Sequence, residues 1–376
     1  MGDSFLKHYK AQITAMSPIH IGDGTTISKK EFIYNKEKNI VVIPDMAKFF
    51  GTLGQNEDAF VQYVKSRDAN EDLGTWIRNH YIETPTGYTL YAGDCEEPKG
   101  ICCFVKDAWG KPYVPGSSVK GMIRTALLVQ ALSEKGELRR KYKKKIDLAL
   151  VNGRGNRRFF KDETEELEQD VFHTLMRGEN VKRKNAVCSN MSGLIVSDSE
   201  PLGTDDLCLC QKIDLFKGGE ESKLPILREA LKPDTKILFD ITIDSKIFPY
   251  TMNDILDALD NLNYTVYDNF YKVFGRGCET EGTVWLGGGV GFAAKTVIAA
   301  LCGAGGDEDR LPEPDIAETT RLTAGIFEKT LSKNVYKKHK HGSDVDAYKV
   351  SPHVCKCTKY RGLLYDMGQG KIEIIG

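Results

Sequence analysis

Four stretches of the chain carry residue types that could meet phosphate or move a proton. In Ser17-Pro18-Ile19-His20-Ile21-Gly22-Asp23-Gly24 a strand end runs into a glycine-punctuated turn. His20 there could be a ligand, an acid or base, a base-stacking ring or a satisfied structural side chain. In Val114-Pro115-Gly116-Ser117-Ser118-Val119-Lys120-Gly121-Met122-Ile123-Arg124 a chain break leads into a helix. A helix start presents free amides and a positive dipole end, so Ser117, Ser118, Lys120 and Arg124 could form a phosphate cradle. The other reading is a capped amphipathic helix whose cations face water.

The third stretch, Trp285-Leu286-Gly287-Gly288-Gly289-Val290-Gly291-Phe292, has four glycines in five positions, with Lys295 close behind. Such a backbone must bend sharply or approach something closely. No Lys directly follows Gly291, which excludes a Walker A loop. Gly289 to Ala294 fits the looser dinucleotide pattern G-x-G-x-x-A, but no βαβ units follow it, so a nicotinamide enzyme is set aside. The fourth stretch is Ser351-Pro352-His353-Val354-Cys355-Lys356-Cys357-Thr358-Lys359-Tyr360, where Lys356 and Lys359 could reach nucleic acid. Cys355 and Cys357 with Cys208 and Cys210 raise the idea of a four-thiolate zinc site. Zinc favours C-x-x-C knuckles over C-x-C, so neither metal nor cofactor is expected.

Between Lys135 and Lys161 the chain holds eleven Lys or Arg against two acids. Arg154, Arg157 and Arg158 stand there among Gly153, Gly155, Phe159 and Phe160, a combination that can bind phosphate and stack bases. A solvated helix face and loop is the plainer reading. The acidic run that follows, Asp162 to Asp170, should pair with this face or meet water.

The elements that must position these residues show in the periodicities. Tyr9, Ala11, Ile13 and Ala15 alternate with polar neighbours, as in a half-buried strand. Short strands are expected at 32–34, 40–43, 88–91 and 100–105, with helices between Asp45 and His80. Val119, Met122, Ile123, Ala126 and Leu127 follow helical spacing. Further strands are expected at 194–196, 207–215, 236–244, 363–365 and 371–375, and a long helix from Asn253 to Phe274. Gly218 to Ser222 reads as an exposed loop. Mixed strands and helices without strict alternation favour an α+β fold of two domains, 1–190 and 191–376, with antiparallel sheets.

With 41% apolar and 28% charged residues the chain can bury real cores, and its net charge of −1 hides local segregation. No run of 18 apolar residues occurs and the first residues lack a signal-peptide layout, so a cytoplasmic protein away from membranes is expected. The ten cysteines are thinly spread among apolar neighbours and read as reduced thiols.

In this order the four stretches resemble the RAMP proteins of CRISPR systems. The likeness also takes in Ser192-Gly193-Leu194-Ile195-Val196-Ser197-Asp198-Ser199 and Tyr365-Asp366-Met367-Gly368. It is strongest to the terminal Csm-family backbone subunits of type III-A complexes. The resemblance implies two ferredoxin-like (RRM-like) domains with a C-terminal glycine-rich loop. It also implies a non-catalytic subunit that binds the 3′ part of the crRNA and helps set guide length. Implied partners are the neighbouring backbone RAMP subunit and the small helical Csm subunit, with target RNA and host nucleases as further candidates. RNA contacts are then expected at His20, Gly22, Ser117, Ser118, Lys120, Arg124, Arg154, Arg157, Arg158, Gly287, Gly288, Gly289, Gly291, Phe292, Lys295, Lys356 and Lys359. The rival is a RAMP endoribonuclease acting on precursor guide or target RNA, with His20 or the acids Asp23 and Glu31 as its chemistry.

Overall fold

The alternation from Tyr9 to Ala15 does form a strand, β1 (Leu6–Ala15), with Ala11, Ile13 and Ala15 fully buried. The computed structural model describes residues 4–66, 68, 71–153, 155, 158–178, 180–305 and 312–376. β1 pairs antiparallel with β10 (Lys236–Asp244) and with β14 (Gln369–Ile374), setting Ile13 opposite Ile237 and Ile372. Beyond these lie β7 (Leu194–Val196) and β11 (Thr283–Trp285), giving a five-stranded order β11-β14-β1-β10-β7. Along the chain, helix α4 (Gly116–Glu134) connects β1 towards β7, and α7 (Met252–Asn269) connects β10 to β11. The path is β-α-β-β-α-β. Ile123 and Leu127 of α4 and Ile255 and Leu262 of α7 share one core with Ala11, Ile13, Phe239 and Ile241. Each buried Ile, Leu or Phe among them contributes about 1.5–3 kcal/mol.

A second sheet has the order β13 (Leu363–Asp366), β12 (Val354–Tyr360), β8 (Leu207–Phe216), β9 (Glu221–Leu231), β6 (Gly100–Phe104) and β2 (Gly22–Ser28). It is antiparallel except for the β6–β9 pair. Both large sheets therefore take strands from either side of residue 190. A cut there does not separate two sheets: β1 bonds to β10 and β14, and β6 bonds to β9. Period-two alternation tells which face of a strand is buried, not which strand lies beside it.

The segment between β2 and β6 forms a small unit of its own. Its sheet is β3 (Ile33–Asn35), β4 (Ile40–Pro44) and β5 (Thr86–Tyr91), with helices α1 (Met46–Thr52), α2 (Glu57–Lys65) and α3 (Leu73–His80). Phe49, Phe60, Tyr63, Leu73 and Trp76 make its separate core. The exposed loop expected at 218–222 is a turn at Gly218 and Gly219, at φ +105° and +94°, which leads β8 into β9; Glu221 and Ser222 already belong to the strand.

Helices α5 (Gly136–Asn152), α6 (Lys161–Phe172) and α8 (Ile298–Cys302) pack against α4 and one another, joined by α9 (Ile316–Thr330) and then α10 (Lys333–Lys338). The acidic run does pair with the basic one: Lys141 meets Asp170 at 2.5 Å, and Lys145 meets Glu166. Among the described residues no helix is long and apolar enough to cross a membrane.

Candidate nucleic-acid interface

The start of α4 is not the open anion site that its sequence suggested. Pro115 occupies the N-cap without a side-chain bond, and the Asp198 carboxylate accepts the Gly116 amide at 2.8 Å. A negative charge of the chain's own thus covers the positive helix end. Ser199 Oγ accepts the Val114 amide at 2.9 Å, so the Ser-Asp-Ser stretch and the Pro-Gly-Ser-Ser stretch are two halves of one joint. A Cβ on Gly116 would lie 2.2 Å from the Val196 carbonyl oxygen, which explains that glycine as close packing.

The glycine loop follows β11 directly and is clamped from below. Trp285 stacks on Tyr271 with ring centroids 4.2 Å apart, and Tyr271 donates its hydroxyl to the Val290 carbonyl at 2.9 Å. The Gly288 amide donates to the His20 carbonyl at 2.6 Å. Gly287, at φ +88°, could not carry a side chain, because a Cβ would lie 2.3 Å from that same carbonyl oxygen. Gly289 lies against Met367, and Gly291 is also left-handed, at φ +82°. Much of the glycine content therefore serves internal threading, while Gly288 remains on a cavity wall.

His20 is 7% exposed, and its Nδ1 sits 2.6 Å from the Glu229 carbonyl oxygen. A carbonyl only accepts, so Nδ1 carries the proton and Nε2 is left as an acceptor beside Gly22. Burial, with Arg228 adding to it, holds the imidazole below its ordinary pKa and so neutral. Beneath it Glu229, fully buried, accepts from the Phe104 amide at 2.7 Å, from Lys106 at 2.5 Å and from the Tyr88 hydroxyl.

Three of the four stretches meet around α4. A cleft of about 420 Å³ lies between Gly22, Ser118, Gly121, Leu286, Gly288 and Lys295. A second, of about 300 Å³, continues past Gly121 to Ser117, Lys120, Arg124 and His173. Gly121 belongs to both. A Cβ there would meet nothing within 4 Å, so no packing within the chain calls for this glycine inside a helix. Glycine at such a position costs about 1 kcal/mol relative to alanine.

The expected cations differ in how free they are. Lys120 donates to the Leu194 carbonyl at 2.6 Å, and burial lowers its pKa, so it ties α4 to β7 as well as lining the cleft. Arg124 is exposed, with Glu168 3.6 Å away. Lys295 has no ion-pair partner among the described residues; burial and then Arg228 lower its pKa. Lys356 is paired with Asp214 at 2.7 Å and Lys359 with Glu221 at 2.6 Å, on the second sheet. Arg158 lies exposed just before α6, whereas Arg154 and Arg157 lie outside the described residues. Phe292 packs edge-on against Phe327 at 5.0 Å.

Two cations escaped the sequence reading. Arg228, half-buried on β9 beside Gly289, has no ion-pair partner among the described residues, and its Nη1 lies 3.8 Å from the Met367 sulfur. Lys212 on β8 is lowered by burial, then by Lys356, and Arg228 contributes. Both stand within strands, and only the pairing of distant strands brings Arg228 beside the glycine loop and Lys212 beside Lys356. The two C-x-C pairs fall into different apolar clusters, Cys355 and Cys357 in the main core and Cys208 and Cys210 beside Tyr360 and Met367, so they do not converge on one four-thiolate site.

The RAMP superfamily model matches residues 12–292. The CRISPR system Cms protein Csm5 of Mycobacterium tuberculosis is 26% identical over 408 aligned positions, covering 99% of each protein. Csm5 of Streptococcus thermophilus is 28% identical, over 62% of this chain and 63% of that protein. Among solved structures, a chain of a type III-A Csm–crRNA–target RNA ternary complex superposes with a TM-score of 0.64 at 18% identity, covering 97% of this chain and all (100%) of that one. Csm5 of T. onnurineus superposes with a TM-score of 0.57 at 21% identity, covering 77% and 93%.

Proposed function

Because the chain belongs to the RAMP superfamily, we propose that the furrow along α4 holds single-stranded guide RNA by its sugar–phosphate backbone. The chain then serves a type III-A Csm complex as the subunit at the 3′ part of the crRNA, capping the backbone filament and helping to set guide length. The observation that carries this is Gly121, a mid-helix glycine with open space above it, facing Gly22 and Gly288 across the cleft. Bare backbone on both walls lets a phosphodiester come close, with Lys295, Arg124 and Lys120 as cations along the way. Contacts of this kind use phosphate and ribose, which every guide shares, so base sequence goes unread. The likeness to Csm5 proteins and to a chain of a Csm–crRNA–target RNA complex supports the same reading. So does the β-α-β-β-α-β sheet, which we take as an RRM-like unit. The neighbouring backbone RAMP subunit and the small helical subunit are the expected protein partners, with target RNA and host nucleases beside them.

We further take the subunit to hold RNA without cutting it. Asp23 Oδ1 accepts from the amide and hydroxyl of Thr25, each at 2.7 Å, and Glu31 accepts from the amide and hydroxyl of Ser28 at 2.8 and 3.0 Å. Lys30 is bound to the Tyr63 and Ser66 carbonyls at 2.7 and 2.6 Å.

The test is to purify the complex through a tag on this chain and sequence its RNA. Lys295→Glu with Arg124→Glu should shorten or lose the 3′ part of the guide; full-length guide at wild-type occupancy would refute the furrow as its seat. A magnesium-dependent cut in labelled target RNA that vanishes in Asp23→Ala, with assembly intact, would refute the non-cutting role.

A further inference from the structure

A third cavity, of about 380 Å³, opens off the furrow between α4, α5, α6 and α8. It shares Thr125 and Lys295 with the first cleft and Arg124 with the second, so the three adjoin one another. Its volume falls in the range, roughly 300–1,000 Å³, of cavities that take small organic ligands. The walls are mainly apolar: Phe159, Phe160 and Phe292, each half-buried, stand over Leu128, Ile298 and Leu301. The rings of Phe159 and Phe160 are 4.2 Å apart and tilted by 54°.

Phe160 is held at φ +70°, a left-handed conformation that a bulky residue adopts only at an energetic cost. It occupies the N-cap of α6 and makes no capping bond there. Asn or Gly would fill that backbone position without strain, so the phenyl ring is what the position supplies. The mouth carries Arg124 and Lys295, and the rim carries Thr125, Thr164 and Thr296 together with Glu163 and Glu168.

We propose that this cavity receives one unstacked nucleobase of the RNA held in the furrow. The inference rests on the guide-holding reading above and names a subsite of it. Aromatic rings offer a sequence-tolerant stacking surface. The two cations at the mouth are placed for the phosphates on either side of the inserted nucleotide. Arg124 and Lys295 are both exposed at the mouth, which suits an occupant that brings phosphates with it better than the apolar side chain of a partner protein.

The experiment compares two probes bound to the full chain: a 12-nucleotide single-stranded RNA of mixed sequence, and a ribose-phosphate oligomer of the same length without bases. Stacking of a single base corresponds to roughly 5- to 150-fold in affinity. The wild-type chain should prefer the RNA by about 10-fold or more. Phe160→Asn keeps the left-handed backbone, and it should remove most of that preference while leaving the affinity for the base-free oligomer unchanged. An unchanged preference in Phe160→Asn overturns the pocket. Ultraviolet crosslinking of the same RNA carrying 4-thiouridine should give adducts in peptides spanning 159–164 or 292–298. Adducts confined to α4 and the glycine loop overturn the pocket and leave the furrow standing. Failure to bind either oligomer overturns both.

Discussion

On α5 three of the six positive side chains, Lys141, Lys143 and Lys145, are answered by carboxylates, and beside the glycine loop Arg228 and Lys295 are not. Lys141 and Lys145 meet the carboxylates of Asp170 and Glu166, and Lys143 lies between Asp147 at 2.9 Å and Glu318 at 2.6 Å. Beside the glycine loop Arg228 and Lys295 have no ion-pair partner among the described residues. There the Asp214 carboxylate is taken up by Lys356 and also lies near Lys212. The α5 region is the richer of the two by sequence, yet a larger share of its charge is spent on carboxylates within the chain. Affinity for nucleic acid follows the local excess of cations over carboxylates rather than their number along the chain.

The largest effect should come from removing that excess. Arg228→Gln with Lys295→Glu is expected to weaken binding of single-stranded RNA by about 30-fold or more near physiological salt. The slope of log K against log salt should become shallower by about 0.7 for each phosphate no longer neutralised. Fluorescence anisotropy across a salt series measures both.

Asp198→Ala probes the joint at the head of the furrow. It should lower stability by about 0.5–2 kcal/mol, the usual cost of losing a helix cap, read by denaturant unfolding. RNA affinity should stay level or rise, since a carboxylate has left the helix end.

The third prediction concerns α5 itself. Lys141→Gln with Lys145→Gln should change stability by no more than about 1 kcal/mol per pair and RNA affinity by no more than about 2-fold. A large drop in affinity would move the interface to α5 and reverse the comparison.

The smallest effect belongs to His20. Its folded pKa lies below the ordinary value, chiefly through burial. The unfolded chain therefore takes up a proton near pH 6.5 that the folded chain resists, so stability falls as pH drops below about 6.5. His20→Asn retains a donor for the Glu229 carbonyl and should flatten that part of the stability profile, followed by thermal unfolding between pH 5 and 7.

Elements with a strong local signal were legible in the sequence. β1 showed its alternation, and α7 begins at Thr251 and Asp254, which form a capping box. Gly218 and Gly219 marked a turn, but β9 behind them was missed, because Pro225 interrupts the strand pattern. The sheet partners of β1 could not be read, since they lie more than two hundred residues away and periodicity carries no pairing information. At the site, His20, Gly22, the glycine loop and the α4 segment were visible and do come together. The capping role of Asp198 and the placement of Arg228 and Lys212 were not visible, because each depends on strands far apart in the chain coming together.

Gly121→Gln puts the central claim to the most direct test, since it separates folding from binding in a single substitution. Glutamine favours a helix over glycine, by roughly 0.5–1 kcal/mol, and open space awaits its side chain. If the furrow holds RNA, the variant should melt at or above the wild-type temperature and bind single-stranded RNA at least about 10-fold more weakly. Unchanged RNA affinity in a variant that folds normally would contradict the account.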